Sequence, residues 1–236
     1  MPAYSNVIST AFLIADQTRM AMLIALLDGR SLPAGELARL SGVTAQTASS
    51  HLTKLLEGGL ISVEMEGRHR YYRLAGSHIA QILEYLAVVS PEVSSKTKVL
   101  SPKDRQLRFC RRCYDHLAGQ VGVAITTALE KHNYIELIED KQFIVTLAGK
   151  EWFSSIGLNV NLIKSGRRGL ARQCLDWTER VHHLGGPLGV QLMNQLSVIG
   201  WLRFSKSSRA VQITQRGMIE LNKQLGIDIT SIEIIN

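Results

Sequence analysis

Apolar residues recur every three or four positions through residues 5–27, and the polar stretch "ADQTR" interrupts them, a pattern that predicts two amphipathic helices. Pro33 then stands near the start of a short predicted helix. Thr44 is a good N-cap for another helix, which the pair Gly58 and Gly59 ends. Two helices joined by such a tight turn are typical of a helix-turn-helix.

The pattern changes from helical spacing to alternation directly after the second helix. Ile61, Val63 and Met65 alternate with polar residues, a turn is predicted at Gly67, and "YYRL" predicts a returning strand. A hairpin in this place is a wing. The order of the elements therefore predicts a winged helix-turn-helix in residues 1–90.

The polar face of the second helix carries short side chains that can enter a major groove, and the wing tip offers basic side chains to phosphates or the minor groove. For each of these residues, the alternative is that the side chain is exposed to solvent and contacts no DNA. The predicted DNA-contacting residues are Thr44, Gln46, Thr47, Ser49, Ser50, His51 and Lys54 on the helix and Arg68, His69 and Arg70 on the wing.

The segments "DQTRMAMLIALL", "LARLSGVTAQTASSHLTKLLEGGLI" and "EGRHRYYRL" resemble the ArsR/SmtB family of bacterial winged-helix repressors over roughly residues 5–90. The resemblance implies a homodimer built on helices near 5–15 and 77–90. It also implies binding to two-fold symmetric operator DNA and release by an effector. The usual metal sites of the family are missing, because "PAGELARL" has no cysteine and "GSHIAQILEYLAVV" has only His78. We therefore expect the effector site in the C-terminal part.

Beyond a predicted basic linker at residues 91–107, the chain repeats itself. The segment "HLAGQVGVAI" returns as "HLGGPLGVQL", and the T-x-x-G of Thr146 returns at Thr214. Each copy predicts a helix, a glycine bend, a second helix, a strand pair and a Thr-capped last helix. The copies at about 108–160 and 170–230 would form one domain, 108–236.

The predicted fold is therefore mainly α with small β-hairpins, an α+β class. A winged helix-turn-helix precedes a duplicated, winged-helix-like C-terminal domain.

The net charge of +7 lies entirely beyond residue 90, since residues 1–90 hold seven basic and seven acidic side chains. Seven basic residues fall between Lys96 and Arg112, which suits either an anionic partner such as DNA or a solvated linker. Three cysteines, no apolar run of membrane-spanning length and no signal-peptide pattern predict a cytoplasmic protein that contacts no membrane.

The stretch "RFCRRCYDHLAG" gathers candidate metal ligands. On a helix, Cys110, Cys113 and His116 would share one side, and Cys174 would approach Cys113 if the two copies pack about a pseudo-axis. Thiolates with a histidine suit Zn(II), Cd(II) or As(III) as an effector. A redox thiol switch and plain packing of buried cysteines remain open. We interpret His116 and His183 mainly as side chains that hydrogen-bond to backbone groups at the bends. A role in a pocket is the alternative.

These observations predict a sequence-specific DNA-binding transcriptional regulator, a repressor released by a metal, a metalloid, an oxidant or another small molecule. The alternative is a protein-interaction adaptor that has lost DNA binding. An enzyme is not expected, because the chain has no phosphate-binding glycine loop, G-x-S-x-G or H-E-x-x-H motif.

Overall fold

The chain divides into two compact units, Met1–Leu83 and Glu84–Asn236. In this computed structural model, the described residues are 2–89, 101–166, 169–205 and 208–233. Among them, no single helix is long and apolar enough to cross a membrane. The segments Asn6–Ile14 and Gln17–Asp28 would together be long and apolar enough to cross one, by length and composition only, and the chain bends by 83° between them.

The first unit contains a helix-turn-helix followed by a hairpin, and the last helix of this region, α5, ends in the second unit. The elements are α1 (Pro2–Ile14), α2 (Gln17–Ala25), β1 (Leu32–Pro33), α3 (Ala34–Leu40), α4 (Ala45–Glu57), β2 (Ile61–Glu66), β3 (His69–Leu74) and α5 (Ser77–Val89). The strands form an antiparallel sheet in the order β1-β3-β2. The predicted winged helix-turn-helix is confirmed.

Capping and burial explain where α4 lies. The predicted N-cap is confirmed, since the hydroxyl of Thr44 accepts a hydrogen bond from the Thr47 amide at 3.2 Å. Ala48, Leu52 and Leu55 then face the core and are buried. Burial of this stripe fixes the opposite, polar face of α4 toward solvent.

The wing departs from the predicted alternation. Ile61 pairs with Leu74 at the base of the hairpin, and both are buried. Val63 and Met65 are exposed instead. Because only the base of the hairpin packs on the core, the apolar positions farther out have nothing to cover them.

The second unit contains paired hairpins and helices. Its further elements are α6 (Pro102–Phe109), β4 (Arg111–Cys113), β5 (His116–Ala118), α7 (Gly119–Lys131), β6 (Ile135–Ile138), β7 (Gln142–Val145), α8 (Leu147–Ser155), β8 (Ala171–Leu175), β9 (His182–Gly185), α9 (Gly186–Val198), β10 (Leu202–Phe204), β11 (Val211–Ile213), α10 (Gln215–Leu225) and α11 (Ile229–Glu233). One sheet has the order β6-β7-β8-β9, and β4-β5 and β10-β11 are separate hairpins.

The predicted helix through "RFCRRCYDHLAG" is wrong. Helix α6 ends at Phe109, and an antiparallel hairpin with Tyr114 in the left-handed region (φ 56°) at its turn follows. The linker at 91–107 stays a prediction: its residues 102–107 are helical, and 91–100 lie outside the described residues. A serine N-cap, Ser101, and a proline at the first helical position start α6.

The two halves of the second unit follow the same order: a hairpin, a helix, a second hairpin and a capped helix. Each half therefore begins with a hairpin, where a helix was predicted. The predicted caps are confirmed, since Thr146 accepts from the Gly149 amide at 3.0 Å and Thr214 from the Gly217 amide at 2.9 Å. A Cβ atom at Gly149 would lie 1.9 Å from the backbone oxygen of Tyr134, and one at Gly217 would lie 2.2 Å from that of Trp201. Close packing therefore requires glycine in both T-x-x-G motifs.

Candidate functional site

Two hairpins of the second unit each supply one cysteine and one histidine. Cys113 lies directly opposite His116 in β4-β5, and Cys174 lies directly opposite His183 in β8-β9. Residues directly opposite in an antiparallel pair project from the same face of the sheet. Each hairpin thus presents a Cys–His pair.

The four side chains converge on one point. The Sγ atoms of Cys113 and Cys174 are 3.9 Å apart, the Nε2 atoms of His116 and His183 are 3.1 Å apart, and all four ligand atoms lie within 4.8 Å of one another. A tetrahedral ion with Zn–S bonds of about 2.3 Å and Zn–N bonds of about 2.0–2.1 Å separates two sulfurs by about 3.8 Å and two nitrogens by about 3.3 Å. The sulfur–sulfur and nitrogen–nitrogen distances therefore match two opposite edges of a tetrahedral Cys2His2 centre.

Carboxylates stand behind both imidazoles. Nδ1 of His116 is 2.8 Å from Oδ1 of Asp115, and Nδ1 of His183 is 3.2 Å from Oδ2 of Asp176, without the alignment of a straight hydrogen bond in the second case. A carboxylate behind Nδ1 favours the proton on that nitrogen and leaves Nε2 as the ligand atom. This is the arrangement that metal-binding histidines use.

Asp176 is held by several donors. Nη2 of Arg111 donates at 2.8 Å, the Gly119 amide at 2.7 Å and the Thr178 hydroxyl at 2.7 Å. Burial alone would raise the pKa of this carboxyl, but the adjacent His183 and the Arg111 guanidinium lower it well below its usual range. Asp176 is therefore a fixed, ionised support for the histidine.

The environment favours one thiolate. The adjacent Cys113 thiol lowers the pKa of Cys174 against the effect of burial, and both imidazoles add to the lowering. The adjacent Cys174 sulfur, burial and the Glu84 carboxylate raise the pKa of Cys113. Burial would lower the pKa of His116, but Asp115 and Cys174 raise it to about 9. A metal ion that binds these atoms must therefore displace protons from Cys113 and His116.

The third cysteine lies elsewhere. Cys110 is fully buried in the hydrophobic core of the unit, where burial raises the pKa of its thiol. The prediction that Cys110 and Cys113 share one side assumed a helix. In extended backbone, residues three apart project to opposite faces. His183, and not Cys110, joins Cys113, His116 and Cys174 in the group of candidate ligands. Its only signal in the sequence was the recurrence of H-L-[AG]-G.

The structure places most predicted DNA contacts on exposed surface. The exposed residues are Gln46, Thr47, Ser49, Ser50 and Lys54 on α4 and Arg68, His69 and Arg70 on the wing. Thr44 is also exposed, but its hydroxyl caps α4. His51 turns inward, with 18% of its side chain exposed and Nδ1 3.6 Å from Oδ1 of Asp16.

The sequence is similar to those of several known proteins. Residues 14–64 match the family described as "Helix-turn-helix domain". The chain is 43% identical over 224 residues to the uncharacterized HTH-type transcriptional regulator YdfF of Bacillus subtilis, covering 95% of this chain and 99% of YdfF. It is 45% identical over 76 residues to the HTH-type transcriptional regulator CmtR of Mycobacterium tuberculosis, covering 32% of this chain and 64% of CmtR.

Two solved structures are also similar. One is the homodimeric winged helix-turn-helix DNA-binding domain of a possible ArsR-family regulator from Mycobacterium bovis, with 27% identity, 42% of this chain and 92% of that chain covered, and a TM-score of 0.37. The other is the cadmium metal-sensor CmtR of Mycobacterium tuberculosis, with 37% identity, 40% and 97% covered, and a TM-score of 0.31. On its identity to YdfF over almost the whole of both chains, the protein belongs to the family of winged-helix, HTH-type transcriptional regulators that bind DNA.

Proposed function

We propose that the protein is a homodimeric repressor that leaves its operator when a divalent metal ion binds the Cys2His2 centre formed by Cys113, His116, Cys174 and His183. The observation that carries this proposal is the convergence of four ligand atoms within 4.8 Å of one another in a buried site with carboxylates behind both imidazoles. The metal ion would bind the DNA-free state more tightly than the DNA-bound state, and this difference in affinity would release the operator.

The polar face of α4 and the basic wing carry the DNA-binding part of the proposal. Gln46 and Ser50 are exposed on α4 and would read base edges, and Arg68 is exposed at the wing tip and would contact a phosphate. Thr44 and His51 support this surface, because Thr44 caps the helix and His51 lies beside Asp16.

Exposed apolar side chains support the proposed dimer. On α1, Val7, Ile8 and Phe12 are 63%, 55% and 72% exposed, and on α5 Ile82 is 45% exposed. Large apolar side chains clustered on one helix favour burial against another chain. A second copy of the protein would cover both helices, the pairing that the ArsR/SmtB resemblance implies.

The second unit is proposed to be an internal duplication. Both halves contain a Cys–His hairpin, and both last helices begin at a threonine whose hydroxyl binds the amide three residues later. The proposed centre would then lie where the two copies meet, with two ligands from each.

The donor set favours Zn(II) and Cd(II). Two thiolates with two imidazoles suit borderline and soft divalent ions that accept tetrahedral geometry. As(III) fits less well, since it would use a third thiolate and Cys110 lies in the hydrophobic core.

The test is a titration of the reduced full-length protein with Cd(II) and Zn(II). We expect one ion per protomer, thiolate-to-Cd(II) charge-transfer absorbance, and release of a fluorescent operator fragment from the protein's own promoter. Cys113→Ser and His183→Ala should lose tight binding, whereas the matched control Cys110→Ser should keep it. Equal Cd(II) binding by Cys113→Ser and the unaltered protein would refute the centre, and failure to prefer operator over random DNA would favour the adaptor alternative.

A further inference from the structure

Helix α5 places a buried carboxylate against the proposed metal centre. Glu84, the first residue of the second unit, is 4% exposed. Its Oε1 accepts a hydrogen bond from Nη1 of Arg209 at 3.0 Å, and its Oε2 accepts one from the Cys113 thiol at 3.1 Å. Glu84 therefore joins α5 to one of the four ligands.

The contact between Glu84 and Cys113 depends on the thiol hydrogen. A carboxylate only accepts hydrogen bonds, so the thiol must be the donor. A sulfur that binds a metal has lost its hydrogen and retains negative charge. At 3.1 Å the carboxylate then faces a sulfur lone pair, and the hydrogen bond between the two side chains is lost. The contact thus differs between the metal-free and metal-bound states.

Arg209 fixes the carboxylate in place. Its side chain is only 11% exposed and pairs with Glu84, so the acidic group stays buried beside the thiol. A second contact holds the same end of α5, because the Arg180 guanidinium donates to the backbone oxygen of Val88. A metal ion at Cys113 would directly alter the contact of Glu84 with the Cys113 thiol, but not the contact of Arg180 with Val88.

We propose that Glu84 is a positioning residue through which metal at Cys113 acts on helix α5 and so on operator binding. This inference rests on the proposed function, since it assigns a route to the same metal response. A ligand changes a distant equilibrium only through contacts that differ between the two states. Glu84 provides such a contact on a continuous helix that also bears Ile82 of the proposed dimer surface.

The decisive variant is Glu84→Gln. An amide can donate to a metal-bound thiolate and accept from a thiol, so the contact survives in both states. Cd(II) should lower operator affinity by about 5–150-fold in the unaltered protein, the usual range for coupled sites, and by less than about twofold in the variant. Cd(II) affinity, read from the charge-transfer absorbance, should change little.

A matched control is Glu179→Gln, since Glu179 also pairs with an arginine, Arg108, at 3.0 Å but does not lie on α5. The control should keep the full Cd(II) response. Arg209→Gln is a second variant, which frees Glu84 without altering a ligand and should weaken the response in the same way. Thermal melts identify variants that fail to fold.

The inference is overturned if Cd(II), at equal occupancy, lowers the operator affinity of Glu84→Gln by the same factor as that of the unaltered protein. The proposed metal sensor would then still stand. Loss of Cd(II) binding in Glu84→Gln also overturns it, because Glu84 would then build the centre rather than transmit its state. An unaltered protein that gives no charge-transfer band, or that keeps its operator when loaded, refutes the proposed function itself.

Discussion

At the scale of single residues, the two carboxylates behind the histidines differ. Asp176 is fully buried and is held by Arg111, Thr178 and a backbone amide. Asp115 has 40% of its side chain exposed. The first is a rigid support inside the protein, and the second can exchange its contact for water. The two imidazoles are therefore held with unequal rigidity.

Asp176→Asn should weaken Cd(II) binding about 10–100-fold, the usual cost of removing a group that orients a ligand. It should also lower the free energy of unfolding by about 3–5 kcal/mol, because Arg111 would remain buried without its partner. Competition with a chelator of known affinity measures the first effect, and urea denaturation measures the second.

Asp115→Asn is the matched control, with the same chemical change at an exposed position. Its losses should be smaller in both measurements, since water can replace its contact. Equal losses at the two positions would show that burial of Asp176 does not set the rigidity of the centre.

At the scale of elements, α4 and the wing should contribute differently to DNA binding. Gln46→Ala together with Ser50→Ala should cost about 1–3 kcal/mol on the operator and little on random DNA, because base edges are read only at the specific site. Arg68→Ala should weaken both and reduce the log–log salt slope by about 0.9, the value for one neutralised phosphate. Anisotropy titrations over a KCl series measure both changes.

His51→Ala separates base reading from support of α4. Its ring lies beside Asp16 and is mostly covered, so the change should affect protein stability more than the preference for operator DNA. An operator-specific loss for His51→Ala as large as that for the Gln46 and Ser50 changes would place this side chain in the groove.

The elements also show where sequence patterns sufficed. The N-caps at Thr44, Thr146 and Thr214 were predictable, because a cap depends on residues within one turn. The hairpin at Arg111–Ala118 was not, because its three-residue strands are too short to show a period of two. Pairing with a second strand decides such segments, rather than local preference.

At the scale of the whole molecule, metal binding should stabilise the folded chain. An ion at 100 times its dissociation constant adds about 2.7 kcal/mol, provided that it binds only the folded state. Calorimetry should show a higher melting temperature with Zn(II) and reversal by a chelator. The gain should shrink as the pH falls, since protons compete with the metal for thiolates and imidazoles.

Cys113→Ser tests the source of this gain. The variant should melt at the same temperature with and without Zn(II). A shift that persists in the variant would assign the stabilisation to ions bound elsewhere on the chain.

The sequence by itself determined the winged helix-turn-helix, the polar and basic character of its DNA-facing candidates, and the recurrence of Cys and His in the second unit. These features depend on periodicity, caps and composition, which are local or are visible as repeats. Only the tertiary structure decided which donors meet. Cys113 and Cys174 are 61 positions apart, and His116 and His183 are 67 apart. Packing of the two hairpins brings these pairs together, while the extended backbone turns Cys110 into the core, because side-chain direction in a strand alternates with every residue.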